Sequence, residues 1–389
     1  MYPQPTAPAY DLAALRQLFP HTQSQVFLNH AASSPLSLPV KRAMAEAIEM
    51  TSGENGDSWS ATVEPMEARL RANLARLINA APDEIALVPN TSTALNWVAL
   101  SLPARAGQNI VVCRQEFPSN VYPWMNLARR AGLDMRIVPS DGGGLSLARL
   151  AECADANTLL VAVSSIEFLT GYRADLPALG AFCRERGIFL AVDGIQSLGH
   201  IPMDVQAAQV DFLAAGALKS LMGPSGIGLL YVRRDLLAEL DMPVAGATSV
   251  QDFMRWTDYR LRFRPEAARF EMGTSNWIGM AGLDASLAML MDLGLPNVDA
   301  WTTHLSAVLL ADLERRGFAC LTRRELGRFG PIVTFSAPDP AAALARLAVA
   351  KVTICLREGY LRASSHCYNT VDELLSIGEM LSAHGGSTI

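Results

Sequence analysis

The sequence has no CxxC pair and no metal-finger spacing: its six cysteines, Cys113, Cys153, Cys183, Cys320, Cys355 and Cys367, stand singly. That argues against a zinc-finger or disulfide framework and fits a reducing compartment. Positive charge is also short. The net charge is -6 with 18% charged residues, so no basic field would draw in nucleic acid or an anionic membrane. Long apolar runs are missing as well, since GIFLAV, IGLLYV and LLVAV are far short of a membrane span. The stretch MYPQPTAPAYDLAALRQLF has no basic segment followed by an apolar run, so no targeting segment is read there. The expectation is a cytoplasmic protein with no nucleic-acid partner, no membrane partner and no metal.

What is present is apolar mass. Of 389 residues 50% are hydrophobic, enough for one large core and a second, smaller one. Between about residues 85 and 235 the runs EIALV, NIVVC, MRIVP, LLVAV, IFLAV, DFLAA and GLLYV alternate with amphipathic stretches. That alternation predicts an α/β fold with a largely parallel sheet covered on both faces. One connecting helix is legible in detail: Asp175 caps it, Pro177 lies in its first turn, Leu176, Leu179 and Cys183 share a face, and Gly187 stops it. Residues 36–80 read as helical, and beyond about residue 280 the pattern becomes α+β. The expected organisation is an N-terminal segment 1–20, a large domain 21–265 and a smaller C-terminal domain 266–389, with no low-complexity tether between them.

In open α/β sheets ligands sit beyond the carboxyl ends of the strands, so polar residues that directly follow apolar strands matter most. Asp193, in FLAVDGIQSLG, is one. From this segment alone a loop turn made with Gly194 is an equal reading. Lys219 is another, placed after DFLAAGAL and before GPSGIGLLYV. A buried, unpaired ammonium is costly, so the lysine is either solvated at a strand end or covalently occupied. Together the two suggest pyridoxal 5'-phosphate (PLP). That cofactor needs a lysine amine to form a Schiff base and a carboxylate to keep its pyridine nitrogen protonated. Gln196, one turn beyond Asp193, could reach the ring's phenolic oxygen.

The segment VPNTSTALNWVAL, residues 88–100, runs from a strand through small polar residues into a helix. Free N–H groups at that helix start, with the hydroxyls of Thr91, Ser92 and Thr93, would cradle a phosphate. Taken alone, an ordinary capping cluster is the stronger reading. In LREGYLRASSHCYNTVDEL, Arg357 and Arg362 flank a strand-like segment that leads to an N-cap at Asn369 or Thr370. A guanidinium over the site would clasp an α-carboxylate; the alternative is a surface ion pair.

With these residues in place the chain resembles the class V aminotransferase superfamily, which includes cysteine desulfurases, selenocysteine lyases, isopenicillin N epimerase and kynureninase. The strongest segments are VDGIQSLGHIPMDV, ALKSLMGPSGIGLLYV, RFEMGTSNWIGMAGL and LRASSHCYNT. The resemblance implies a fold-type I architecture with a mostly parallel seven-stranded sheet. It makes Lys219 similar to the Schiff-base lysine, Asp193 to the pyridinium partner and Gln196 to the ligand of O3'. Thr91 and Ser92 match the phosphate pair, and Arg362 the carboxylate arginine. Thr274 matches a threonine that in relatives reaches the partner subunit's phosphate, which implies a homodimer with composite sites.

Departures from the family pattern narrow the chemistry. Where desulfurases stack a histidine on the ring, CRQEFPSN places Phe117, which stacks but transfers no proton. Arg357 and Arg362 are five residues apart, leaving no loop for a persulfide cysteine, and Cys355 and Cys367 read as small buried hydrophobes. Gly216 and Leu218 replace a serine and a histidine of the phosphate site. Glu167, in SSIEFLTGYR, stands where an amide is usual and is either an acid or base of the site or a solvated loop charge. Substrate recognition is expected to involve Asn29 and His30 as well. The expected activity is a PLP enzyme acting at Cα or Cβ of an amino acid, a C–S-type β-lyase or an epimerase without a persulfide cysteine. The alternatives are a class V aminotransferase and a degenerate binding or scaffold protein.

Overall fold

The computed structural model describes residues 7–52, 62–242, 244–324 and 327–382. The outer ends of the expected N-terminal segment and small domain, residues 1–6 and 383–389, lie outside the described residues. The first half of the chain gives α1 (Leu12–Gln17), β1 (Val26–Phe27), α2 (Leu38–Ser52), α3 (Glu64–Ile78), β2 (Ile85–Val88) and α4 (Thr91–Ser101). There follow β3 (Asn109–Cys113), α5 (Tyr122–Ala131), β4 (Asp134–Val138), α6 (Leu147–Cys153), β5 (Thr158–Ser164), α7 (Leu176–Glu185) and β6 (Phe189–Asp193). The large sheet is completed by β7 (Phe212–Gly216) and β8 (Gly228–Val232). Its seven strands run in the order β2-β8-β7-β6-β5-β3-β4. All are parallel except β8, which pairs antiparallel with β2 and β7.

Apart from the edge strand β4, both faces of this sheet are buried, and the side chains divide by the two-residue period of a strand. In β5, Leu160 and Ala162 join Trp124 of α5 and Leu95 and Val98 of α4 in one core, while Val161 and Val163 join Leu70 and Leu74 of α3 and Leu179 of α7 in the other. α7 has the features read from the sequence: Asp175 caps it by accepting from Ala178 N–H, and Gly187 follows it at φ +65°. The helical reading of residues 36–80 corresponds to two helices, α2 and α3.

The C-terminal part comprises α8 (Trp277–Leu293), α9 (Leu295–Arg315), β9 (Ile332–Phe335), α10 (Pro340–Val349), β10 (Val352–Thr353), β11 (Cys355–Arg357), β12 (Tyr360–Ser364) and α11 (Val371–Ser382). Strands β11, β12 and β9 form an antiparallel sheet, backed by Leu305 and Leu309 of α9, Leu347 of α10 and Ile377 of α11. By contrast Met280, Leu283, Leu287 and Leu290 of α8 belong to the large core, together with Leu70 and Leu74 of α3. Residues 26–28 cross the other way: β1 pairs with β10, and Leu28 is buried in the small core. The chain then returns to the large sheet, where Ser34 N–H donates to the Leu218 carbonyl at 2.8 Å. Asn29 and His30 are thereby set between the two cores.

A buried ion pair ties the sheet edge to the segment before α8. Arg71 of α3 donates to both carboxylate oxygens of Glu271, at 2.6 and 3.2 Å, and to the Ile85 carbonyl at 2.7 Å. Glu271 also accepts Leu87 N–H at 2.7 Å. Removing one partner leaves a buried charge uncompensated. Arg71→Ala should therefore lower the free energy of chemical denaturation by about 3–5 kcal/mol; a loss below about 1 kcal/mol would show that solvent or another cation takes over.

Candidate active site

The site lies at the carboxyl ends of β6 and β7, where adjacent strands deliver a carboxylate and an amine. Asp193 closes β6, is buried, and accepts Ile195 N–H on Oδ1 at 2.9 Å. Burial pushes its carboxyl up to about 6, opposed by that hydrogen bond and by Lys219. Lys219 lies three residues beyond the end of β7. Burial brings its ammonium down to about 8 against the pull of Asp193, with Arg362 adding to the lowering. Each group thus registers the other's charge. The Phe117 ring centroid is 5.2 Å from Lys219 Nζ, and Phe117 meets Phe168 edge to face at 5.1 Å.

The backbone around Lys219 is fixed by neutral groups. Ser34 Oγ donates to the Lys219 carbonyl at 2.6 Å and lies 2.7 Å from His30 Nδ1. His366 Nδ1 accepts Cys367 N–H, so its Nε2 carries the proton and donates to the Ser220 carbonyl at 2.8 Å. His200 packs on His366 with ring centroids 4.0 Å apart. Burial holds His366 down to about 4 and keeps His30 and His200 well below the usual imidazole range. Three imidazoles therefore buttress the lysine segment without adding positive charge.

The other expected residues divide into those that face a ligand and those held by the fold. Asn90 caps α4 by accepting Thr93 N–H at 2.8 Å, and Ser92 Oγ lies 2.7 Å from Ser119 Oγ. Ser92 and Thr93 remain half-buried at this helix start. Thr91 is buried and its hydroxyl accepts Gly216 N–H at 2.8 Å, tying α4 to β7. A Cβ added at Gly216 would lie 3.5 Å from Leu218 Cδ2 and 3.6 Å from Thr91 Oγ1 and Ile195 Cδ1, ordinary contact, so no neighbour demands glycine there. Thr274 is exposed and lines a cleft of about 320 Å3 together with Thr93 and Trp97. Gln196 donates to the Ala31 carbonyl at 3.0 Å, joining the Asp193 turn to the N-terminal crossing.

Arg362 comes from the centre of the small sheet, on β12, and is buried. Its Nη1 donates to the Phe168 carbonyl at 2.7 Å, while its Nε has no partner. Arg357 is exposed and bonds the Leu356 carbonyl, so only one of the two arginines faces inward. Asn29 Oδ1 and His30 Nε2 are likewise buried and unpartnered. Glu167 is fully buried, not solvated, and no donor reaches either of its oxygens.

Two residues the sequence reading passed over are part of this arrangement. Glu116 accepts Ser164 N–H and Ser164 Oγ–H, both at 2.6 Å, and Asn120 Nδ2–H at 2.8 Å. Phe168 supplies the carbonyl that aims Arg362 and the ring that supports Phe117. Both stand just past strand ends beside residues already singled out, where the strand-end rule would have found them.

These residues fit PLP: an amine lowered by burial, a buried carboxylate on the neighbouring strand and a helix N-terminus with two half-buried hydroxyls match the molecule's three polar ends. No group of three or more metal-binding side chains occurs among the described residues. Among the same residues no single helix is long and apolar enough to cross a membrane.

Comparison with known proteins agrees with the geometry. A probable cysteine desulfurase of Methanothermobacter thermautotrophicus is 32% identical over 96% of this chain and 98% of its own. An uncharacterized aminotransferase of Bacillus subtilis is 31% identical, covering 92% of this chain and 94% of that one. The apo cysteine desulfurase of Thermococcus onnurineus NA1 superposes with a TM-score of 0.87 at 27% identity, covering 98% of both chains. The cystine C-S lyase C-DES, at 24% identity over 94% of this chain and 99% of its own, shares the fold with a TM-score of 0.87. The family model for class V aminotransferases matches residues 26–381. This chain therefore belongs to the class V aminotransferases, a family of PLP-dependent enzymes.

Proposed function

We propose that the protein is a cytoplasmic C–S-type β-lyase that acts on an amino acid without a persulfide cysteine. The observation that carries this reading is the turn before Arg362. Strands β11 and β12 pair Arg357 with Tyr360 across Glu358 and Gly359 alone, so a two-residue turn stands where a relay cysteine would need a loop. Cys355 and Cys367 are buried, and burial pushes the Cys367 thiol up to about 12, far from the thiolate a sulfur carrier needs. The names of the desulfurase relatives and of the cystine lyase support C–S chemistry.

Bound PLP supplies an electron sink for charge developed at Cα. Lys219 Nζ would hold the cofactor and, once displaced by substrate, remove the Cα proton. Asp193 would keep a proton on the ring nitrogen, and Ser92, Thr93 and the α4 amides would bind the phosphate. The free Nε and remaining Nη of Arg362 would clasp the α-carboxylate, with the guanidinium already aimed by Phe168. Phe117 and Phe168 would exclude water above Lys219. In a two-fold dimer, Thr274 of one protomer would reach its partner's phosphate site. Asn29 and His30 would meet the substrate through their unpartnered atoms.

Epimerisation shares the first proton transfer and is told apart by a D-amino acid product. Transamination is favoured by the name of the Bacillus subtilis relative alone; stoichiometric consumption of a keto acid would establish it.

Lys219→Ala should abolish turnover, and Arg362→Ala should raise KM with about 2–5 kcal/mol lost in kcat/KM; unchanged steady-state constants in either variant would remove that residue from the site. Cys355→Ser and Cys367→Ser should leave sulfur release within about twofold of the parent, a difference under about 0.5 kcal/mol, whereas collapse in either would restore a relay mechanism. The lowered amine gives a pH prediction. A lysine reacts with a carbonyl as its neutral form, whose fraction rises through the pKa. Uptake of PLP by the apoprotein should therefore accelerate with a midpoint near pH 8, not near the ordinary lysine value of about 10.4; stopped-flow absorbance showing the higher midpoint would refute it.

A further inference from the structure

Three buried carboxyl groups stand at the ends of three adjacent strands: Asp193 after β6, Glu167 beyond β5 and Glu116 beyond β3. Asp193 and Lys219 each register the other's charge. The other two meet each other, and their surroundings differ sharply. Glu116 accepts three hydrogen bonds, from Ser164 N, Ser164 Oγ and Asn120 Nδ2, and Asn120 is itself held by Trp124 Nε1 at 3.1 Å. Glu167 has no donor on either oxygen; the one side chain it is hydrogen-bonded to is the carboxyl of Glu116. Two carboxylates in contact and out of water do not both ionise, and the proton settles on the member with fewer donors.

We propose that Glu116 and Glu167 share a proton as a carboxylate–carboxylic acid pair, Glu116 holding the charge and Glu167 the proton, so that Glu167 adds no further negative charge beside Asp193. Both are positioning residues that act through Asp193 and Lys219. Were Glu167 ionised, a further negative charge beside Asp193 would hold the proton on Lys219 more tightly and leave less of the amine in its free-base form. The other titratable groups facing the pair are Asp193 from β6 and Cys113 from β3, while Arg362 reaches the adjoining Phe168 carbonyl. None of them supplies the missing hydrogen bond to Glu167. A proton shared with Glu116 does.

The pairing itself needs no cofactor, and only its effect on Lys219 rests on the function proposed above. The first measurement therefore uses the apoprotein: its infrared spectrum at pH 8 should contain the C=O stretch of a protonated carboxylic acid. That band should vanish in Glu167→Gln and persist in Glu116→Gln, where a lone buried Glu167 keeps its proton. No such band in the parent, or survival of the band in Glu167→Gln, would overturn the assignment whatever the fate of the PLP reading. The second measurement uses holoenzyme and reads the pH midpoint of the bound cofactor's absorbance. Glu167→Gln replaces a neutral acid by a neutral amide and should move the midpoint by less than about 0.3 unit, whereas losing an ionised neighbour would lower it by about one unit or more. A shift of that size would overturn the role assigned to the pair.

Discussion

Asp193, buried at the end of β6, and Lys219, half-buried just beyond the neighbouring β7, each lie in the field of the other, and the surrounding architecture is built around that pairing. Both side chains lose hydration there, and each is partly compensated by the other. A molecule that accepts the amine at one end and the carboxylate at the other removes both penalties at once, which is the logic of a PLP site. The surrounding architecture preserves this condition. The lysine's backbone is held through Ser34 and His366 by a cluster of neutral imidazoles, and Arg362 is brought from a different sheet to lie near the amine without pairing with it.

Chain topology explains how these residues meet. Parallel strands β6 and β7 end side by side, so Asp193 and the approach to Lys219 are neighbours by construction. Helix α4 starts beside β7 because Thr91 accepts the Gly216 amide, which directs its N-terminus to the same end of the sheet. The segment through Leu28 then laces the small core to the large one, and Gln196 fastens it back to the Asp193 turn. The unpartnered atoms of Asn29, His30 and Arg362 therefore belong to elements whose positions depend on packing between the two cores.

Much of this was legible in the sequence. All seven apolar runs became strands of one sheet, because strands buried on both faces must be continuously hydrophobic and announce themselves. Asp193 and Lys219 stood out for the complementary reason, as charges placed after such runs. Less legible were features set by tertiary contact. Thr91 and Ser92 are adjacent hydroxyls, yet one is engaged by β7 and the other lies against the Ser119 hydroxyl. Arg357 and Arg362 look alike in sequence, but a two-residue turn sends one outward and buries the other. Glu167 was open between a solvated loop charge and a buried acid, and its carboxyl partner, Glu116, lies two strands' worth of sequence away.

Lysine is scarce in this protein: Lys41, Lys219 and Lys351 are the only three, and the first and last are exposed. Borohydride reduction of PLP-loaded protein followed by peptide mass mapping is therefore decisive. A single reduced adduct on Lys219, lost in Lys219→Ala, is expected. Label on Lys41 or Lys351 with position 219 unmodified, or no adduct at saturating PLP, would contradict it.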